Sequence, residues 1–183
     1  MQGKPNNAQT VAVATGIAIY SDAQKNGNNN GDGNDTLTLS AAALADSSIY
    51  GGGGNDSINY AGGAGGFGSA SLVAMNGGND TITLSAGTYL NNTIGLGANA
   101  DLITIGSGTN LSGTTINGAK GLDTITFSAN VFSGGLAEVT DYDATVIGGL
   151  GNDLINASIA DLNGSGHTAE VTIGYTNNNE STL

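Results

Sequence analysis

A nine-residue motif that returns about every 22 residues constrains the fold of this chain more than any other feature. Its two complete copies, Gly51 to Asn59 and Gly148 to Asn156, read Gly-Gly-x-Gly-Asn-Asp-x-Ile-Asn. The motif aspartate occurs six times, and successive copies are separated by 21, 24, 21, 22 and 30 residues. Separations in this range are typical of stacked repeats. The six aspartates are Asp35, Asp56, Asp80, Asp101, Asp123 and Asp153.

Each aspartate precedes a short segment in which apolar and polar residues alternate. After Asp80 the sequence reads Thr-Ile-Thr-Leu, so Ile82 and Leu84 face one side of a strand and Thr81 and Thr83 the other. A second segment of strand-forming residues, of the type Ser/Thr-Ile/Val, precedes each glycine turn. One copy cannot bury its apolar side alone, whereas copies stacked about 4.8 Å apart can. The sequence therefore predicts an all-β parallel β-solenoid (a β-roll or β-helix) of about six to seven coils of about 22 residues.

Composition agrees with a repeat fold and excludes several partners. With 32 Gly, one Pro and no Cys, the chain is either disordered or built from repeats, and its 38% of hydrophobic residues at fixed places favour repeats. A formal net charge of -12 with only three basic Lys or Arg residues argues against binding nucleic acid or an anionic membrane surface. No apolar run is long enough for a membrane span. The absence of cysteine excludes disulfides and thiolate metal sites.

The motif also sets the expected boundaries. Residues 1–30 lack it and are expected to form an N-terminal cap and a polar loop. Residues 31–158 hold the repeats, with an insertion near 128–145, and residues 159–183 are expected to form a final coil and a polar tail. Ser40 to Asp46 is the one segment with helical-turn character. Residues Met1 to Thr10 contain no signal peptide, so the chain is either exported without a cleaved signal or an excerpt of a longer protein.

Stacking predicts that one aspartate of each coil lies above the next. Two carboxylates about 4.8 Å apart repel by about 1 kcal/mol even at the dielectric constant of water, so a ladder of six needs a partner. Ca²⁺ takes six to eight oxygens from carboxylates and backbone carbonyls, and glycine permits the backbone angles that present those carbonyls. All six aspartates are therefore candidate calcium ligands.

The alternative is that these aspartates and the neighbouring asparagines cap tight turns without metal, by hydrogen bonds to their own backbone. Asp101 and Asp123 persist where motif glycines have been lost, which favours this alternative at their turns.

The two complete copies match, at every fixed position, the nonapeptide Gly-Gly-x-Gly-x-Asp-x-U-x, where U is apolar. The copy from Asn30 to Thr38 misses only the first glycine. The chain thus resembles the RTX (hemolysin-type) calcium-binding repeat family, found in bacterial S-layer proteins and adhesins. The resemblance implies a right-handed parallel β-roll with Ca²⁺ between coils, and ligand roles for Asp35, Asp56 and Asp153. It also implies carbonyl ligands near Gly31, Gly33, Gly52, Gly54, Gly149 and Gly151.

The remaining copies depart from the family pattern. Asn76 to Asp80 is interpreted as a compressed copy, Leu96 to Asp101 lacks two glycines, and Gly118 to Asp123 lacks the second. The family's roll carries a nonapeptide on both edges, whereas this chain has one motif per coil. Metal along a single edge of a wider, three-sided β-helix is therefore expected.

The expected function is that of a calcium-binding structural module of a secreted bacterial surface protein. The expected location is extracellular, by type I secretion, and the partners are calcium ions, further copies of the chain or a cell-surface glycan. Alternatives are a virion or fibre module, and an ice- or glycan-binding solenoid that uses its outward Thr-x-Thr pairs. A polysaccharide-active enzyme using Glu138, Asp141 and Asp143 is least favoured. No enzymatic activity is expected, because His167 is the one histidine and no nucleophile motif accompanies it.

Overall fold

The protein is all-β in the computed structural model. The structure describes residues 8–11, 14–15, 18–20, 33–39, 44–60, 68–69, 71–85, 87–128, 141–157 and 168–174. Within these ranges there are nineteen strands and no helix, and every strand pairing is parallel. The predicted class, a parallel β-solenoid, is confirmed. No helix in the described part of the chain is long and apolar enough to cross a membrane.

Sheet 1 contains the strands that follow the aspartates, stacked in chain order. Ile82 and Leu84 are fully buried in it, while Thr81 and Thr83 face outward and are half-buried, as the alternation predicts. Its strands are β1 (Ala8–Val11), β4 (Thr36–Leu39), β7 (Ser57–Tyr60), β10 (Thr81–Leu84), β13 (Leu102–Ile105), β16 (Thr124–Phe127) and β18 (Leu154–Asn156).

Sheet 2 contains the predicted second segments, also stacked in chain order. Its strands run into the glycine turns, so each turn joins a strand of sheet 2 to the next strand of sheet 1. They are β3 (Ala18–Tyr20), β6 (Ser48–Gly53), β9 (Leu72–Gly77), β12 (Thr93–Ala98), β15 (Thr114–Lys120), β17 (Asp141–Ile147) and β19 (Thr168–Gly174).

A third side is present between sheets 1 and 2. Sheet 3 consists of β8 (Gly68–Ser69), β11 (Gly87–Leu90) and β14 (Thr109–Asn110), and sheet 4 of β2 (Ala14–Thr15) and β5 (Leu44–Ala45). Leu44 and Ala45 are therefore extended, and the predicted helical turn from Ser40 to Asp46 is wrong there. A pairing with the neighbouring coil overrides the local preference of an alanine-rich segment.

Sheet 3 closes three consecutive turns of the solenoid, β7–β9, β10–β12 and β13–β15. The structure therefore shows about three complete turns and not the predicted six to seven coils. Sheets 1 and 2 extend beyond these turns, because the aspartate motif specifies two sides of a coil but not the third. Much of the chain between the outer strands, such as 129–140 in the expected insertion, lies outside the described residues.

The core is a stack of identical or similar apolar side chains from successive coils. Ile58, Ile82, Ile103 and Ile125 are register partners in sheet 1, and each is 3% exposed or less. Burying one such side chain contributes roughly 1.5–3 kcal/mol. Stacking thus fixes the register, since a slip by one residue would turn the isoleucines outward.

Candidate metal site

The six predicted aspartates all lie at one corner of the solenoid, directly before the strands of sheet 1. The first five are between 1% and 3% exposed, and Asp153 is half-buried. Their backbone belongs to the stack, because the carbonyl oxygens of the first five accept an N–H from the next coil. For example, Thr81 N–H donates to Asp56 O at 2.8 Å. This corner carries a continuous aspartate ladder.

In the five aspartates that follow Asp35, one carboxylate oxygen, Oδ1, accepts a hydrogen bond from the backbone N–H of the preceding aspartate. Asp56 N–H donates to Asp80 Oδ1 and Asp80 N–H to Asp101 Oδ1, both at 2.7 Å. Asp101 N–H and Asp123 N–H donate to the next coil's Oδ1 at 3.0 Å. The capping interaction is therefore real, but its partner is the preceding coil and not, as the metal-free alternative supposes, the aspartate's own turn.

The other carboxylate oxygen, Oδ2, has a different environment. In Asp80, Asp101, Asp123 and Asp153 it is buried and has no hydrogen-bond partner within the described residues. In the turns of Asp123 and Asp153 it lies next to the first glycine of the motif: a Cβ added to Gly118 would be 2.5 Å from Asp123 Oδ2, and one added to Gly148 would be 2.7 Å from Asp153 Oδ2. A buried polar atom left without a partner costs about 1–3 kcal/mol, and more when it is charged. These four oxygens are therefore where a proton or a cation is needed.

Burial changes the acidity of the central carboxyls. Desolvation raises the pKa of Asp80 and of Asp123 to about 6, and that of Asp101 to about 7, from an ordinary value of 3.8. Hydrogen bonds from the backbone lower each pKa, but by less than burial raises it. Neighbouring carboxylates add to the rise for Asp101 and Asp123. Without metal, the carboxyls of Asp80, Asp101 and Asp123 therefore hold protons up to nearly neutral pH.

In the last five turns, those before Asp56, Asp80, Asp101, Asp123 and Asp153, two residues have positive φ, four and two positions before the aspartate. At the second of these positions a side chain meets the coil before it. A Cβ on Gly78 would collide with Gly54 O, and one on Gly151 with Gly121 O. The first position holds Gly52, Asn76, Gly97, Ala119 and Gly149, and the second holds Gly54, Gly78, Asn99, Gly121 and Gly151.

These positions test the sequence interpretation of the turns. The register of sheet 2 pairs Gly52 with Asn76, so the Asp80 turn has full length and Met75 replaces its first glycine. The interpretation of this turn as compressed is wrong, because Asn76 adopts the positive φ of the second glycine. Of the predicted carbonyl ligands, Gly31 lies outside the described residues, and Gly33 is buried next to the ladder.

Ala119 is strained by this geometry, since it adopts φ +74° at a position where other coils have glycine or asparagine. An L-residue other than glycine loses roughly 1–2 kcal/mol in this region. We expect Ala119→Gly to raise the free energy of unfolding by about 1 kcal/mol, measured by urea denaturation. Ala98→Gly is the control, because Ala98 lies one position further along the equivalent turn of the preceding coil and its φ is not positive. This variant should lower stability. Equal losses in both variants would contradict strain at Ala119.

Two further ladders were not predicted from the sequence. Exposed Asn34, Asn55 and Asn79, each directly before a ladder aspartate, accept an N–H from the following coil through Oδ1, at 2.7, 2.8 and 3.1 Å. At a second corner, buried residues precede the strands of sheet 2 and accept an N–H from the preceding coil. In the sequence, each residue of this ladder is a polar residue directly before a dipeptide of Ser, Thr or Leu followed by Ile or Val. The acceptors are Ser71, Asn92 and Thr114, and the ladder begins at Ser47, whose N–H donates to Ser71 Oγ at 3.3 Å.

The donor set suits a hard cation better than a transition metal. Within the described ranges no three acidic or histidine side chains converge on one point. The carboxylates form a line instead, so a cation at the ladder meets aspartates of consecutive coils and takes its other ligands from backbone carbonyls or water. Oxygen ligands of this kind are preferred by Ca²⁺ and Mg²⁺. The residues present therefore fit a calcium ion.

Of the residues considered for catalysis, only Asp141 and Asp143 belong to the part of the chain that the structure describes. Glu138 and His167 lie outside the described residues. Asp141 and Asp143 belong to β17, and the register places Asp143 beside Glu170 of β19.

No family model, curated protein or solved structure matches this chain. The resemblance to RTX repeats is thus carried by the motif copies alone.

Proposed function

We propose that this chain is a calcium-binding structural module of a secreted bacterial surface protein, stabilised by Ca²⁺ at the aspartate ladder. The observation that supports it best is the column of buried Oδ2 atoms without hydrogen-bond partners at Asp80, Asp101, Asp123 and Asp153. Uncompensated carboxylates in this position would repel one another and destabilise the stack. A divalent cation between coils removes both penalties at once.

The ligands would come from the turns that the motif defines. The six ladder aspartates provide carboxylate oxygens. Carbonyl oxygens near Gly52, Gly54, Gly149 and Gly151 lie in the same turns, together with those near Gly31 and Gly33 in the first copy. The bound cation supplies positive charge, while Oδ1 of each aspartate remains the acceptor that holds the preceding coil in register.

Calcium binding of this kind couples to folding, because the ladder forms only when the coils are stacked. A ligand at 100 times its dissociation constant stabilises the native state by about 2.7 kcal/mol per site. Low cytosolic calcium would leave the chain loose enough for type I export, and extracellular calcium would fold it as a right-handed solenoid. We place it in an S-layer or adhesin-like scaffold without enzymatic activity, facing other copies or surface glycans.

A calcium titration of the chelator-treated chain tests this proposal. We expect Ca²⁺ to increase the β signal in circular dichroism and the melting temperature, with heat of binding in calorimetry. Mg²⁺ at the same concentration should do far less, because it is smaller and gives up its water reluctantly. A chain with full β structure in chelator and no calcium heat would contradict the proposal and leave the ladder as a protonated turn cap.

A second candidate function rests on the outward face of sheet 1. Its side chains form two columns in register, and one of them contains Thr38, Asn59, Thr83, Thr104 and Thr126. A flat array of hydroxyl groups about 4.8 Å apart suits an ordered surface such as ice. If it binds ice, the chain should reshape growing ice crystals, and Thr83→Tyr should abolish the effect. Crystals of unchanged shape would eliminate this candidate.

A further inference from the structure

The residue five positions before each ladder aspartate, which we call the first motif residue, points into the solenoid. It lies two residues after an inward apolar residue of sheet 2, as Met75 does after Val73, and it is buried in each of the five turns from Asp56 to Asp153. The strand register places these residues in one column, in which three are glycine and two are large and apolar. In chain order the column is Gly51, Met75, Leu96, Gly118 and Gly148.

At Gly118, two oxygens of different coils converge on the place that a side chain would occupy. A Cβ added there would collide with Gly148 O and would lie 2.5 Å from Asp123 Oδ2. Asp123 is 1% exposed, and its Oδ2 has no hydrogen-bond partner within the described residues. A carboxylate oxygen so close to a carbonyl oxygen is repelled by it unless a proton or a cation lies near both. We call Asp123 Oδ2 and Gly148 O an oxygen pair.

A second oxygen pair lies at Gly51. A Cβ added there would lie 2.7 Å from Asp56 Oδ2 and 2.8 Å from Met75 O. Here too the carboxylate belongs to one coil and the carbonyl to the next. An oxygen pair thus recurs where the first motif residue is glycine and the following coil is described.

The turns of Asp80 and Asp101 are built differently. Their first motif residues, Met75 and Leu96, are fully buried and belong to the hydrophobic core. The Cβ atom of each occupies the place on which the oxygens converge in the glycine turns. Since non-bonded carbon and oxygen atoms stay more than about 3 Å apart, the carboxylate and the next carbonyl are held away from this place. The apolar side chain beyond the Cβ also excludes water that would complete a cation's shell.

We propose that the first motif residue selects where Ca²⁺ binds: the tightest sites are the oxygen pairs at Gly51 and Gly118, and Met75 and Leu96 weaken binding at their own turns. This inference rests on the proposed function and assigns its sites. Oxygen ligands of Ca²⁺ lie at about 2.3–2.6 Å, so one ion can contact both oxygens of a pair.

The proposal separates two turns that the motif treats alike. The turns of Asp101 and Asp123 have both lost motif glycines, but only that of Asp123 keeps the first one, Gly118. Asp101 is coupled to this pair through charge, because its N–H donates to Asp123 Oδ1 and the two carboxylates repel each other. Its carboxylate therefore adds to the affinity of the Gly118 pair without being the centre of a tight site.

Calorimetric titration of the chelator-treated full chain with Ca²⁺, at a pH of about 8 where carboxyls are ionised, counts the tight ions. Gly118→Ala places a Cβ between the two oxygens, and since the φ of Gly118 is not positive, the backbone itself accepts alanine. We expect this variant to bind roughly one tight ion fewer per chain. Gly95→Ala is the matched control, because its Cβ would meet nothing closer than Val73 O at 3.9 Å, and it should bind the wild-type number.

Circular dichroism in calcium checks that each variant folds. Gly51→Ala tests the other oxygen pair, with the same expected loss, and serves if Gly118→Ala does not fold. A folded glycine-to-alanine variant at either pair that binds as many tight ions as the wild type overturns the proposal, as does an equal loss in Gly95→Ala. Either result in a chain that binds calcium leaves the proposed function standing. A wild-type chain without calcium heat contradicts the proposed function and this inference together.

Discussion

The metal-free protein is expected to lose stability as the pH rises from about 4 to about 8. In the folded state the pKa of Asp80 and of Asp123 is about 6 and that of Asp101 about 7, against 3.8 ordinarily. Between these values the folded chain binds protons that the unfolded chain has released. The stabilisation is therefore complete below pH 4 and is lost as the pH passes through 6 and 7. Since one pKa unit is worth about 1.4 kcal/mol, the total is on the order of several kcal/mol.

Urea denaturation in chelator at pH 5, 6, 7 and 8 measures this loss. Millimolar Ca²⁺ should flatten the curve, because the cation replaces the protons on Oδ2 and binds best when they have left. The calcium-induced gain should therefore be larger at pH 8 than at pH 5. Stability that rises from pH 5 to 8 in chelator would show that the ladder carboxylates are ionised without penalty.

The second large effect is expected from removing one ladder carboxyl. Asp101→Ala removes the oxygen that accepts the buried N–H of Asp80 at 2.7 Å in the wild type, and it opens a small cavity. An unsatisfied buried donor costs about 1–3 kcal/mol. Asp101→Asn keeps an oxygen in the place of Oδ1. In chelator, we expect the free energy of unfolding of the alanine variant to be about 2–3 kcal/mol lower than that of the asparagine variant.

The same pair of variants separates the two roles of the carboxyl. Both should lose most of the calcium-induced gain at the neighbouring coils, because neither can supply the charged Oδ2. Asp46→Asn, at an exposed aspartate outside the ladder, is the control and should keep the full calcium response. If Asp101→Asn responds to calcium like the wild type, Asp101 is a structural acceptor only.

The fold was largely predictable because the same strand pattern recurs in successive repeats. Alternation after each aspartate identifies the inward residues, such as Ile82 and Leu84, and stacking leaves a parallel solenoid as the way to bury them. The third side was less predictable. Its strands are only two to four residues long and lack a shared motif, so the sequence predicts a helical turn at Leu44 and Ala45, which are extended in the structure. Short strands depend on their neighbours in the stack more than on local preference.

The position of the candidate site was predictable, but its hydrogen bonds were not. The recurrence of Asp80 and Asp101 places them at one corner, yet nothing in the sequence assigns Oδ1 to the preceding coil and leaves Oδ2 buried without a hydrogen-bond partner. The ladder through Ser71 and Asn92 has the same geometry, but its members vary among Ser, Asn and Thr. Any side chain with a hydrogen-bond acceptor can take this role, so no single residue type recurs in the sequence.

The directions in which the ladders run have a consequence for how such a chain changes in length. Each aspartate holds the coil before it, while Asn55 and Asn79 accept an N–H from the coil after them. The coils of Asp56 and Asp80, which carry both residues, thus offer on one side the groups that they accept on the other. A duplication or deletion that spans one whole coil restores the same joints, whereas one that spans part of a coil breaks all of them. Evolution can therefore adjust the reach of this protein in whole-coil steps that keep the aspartate ladder continuous.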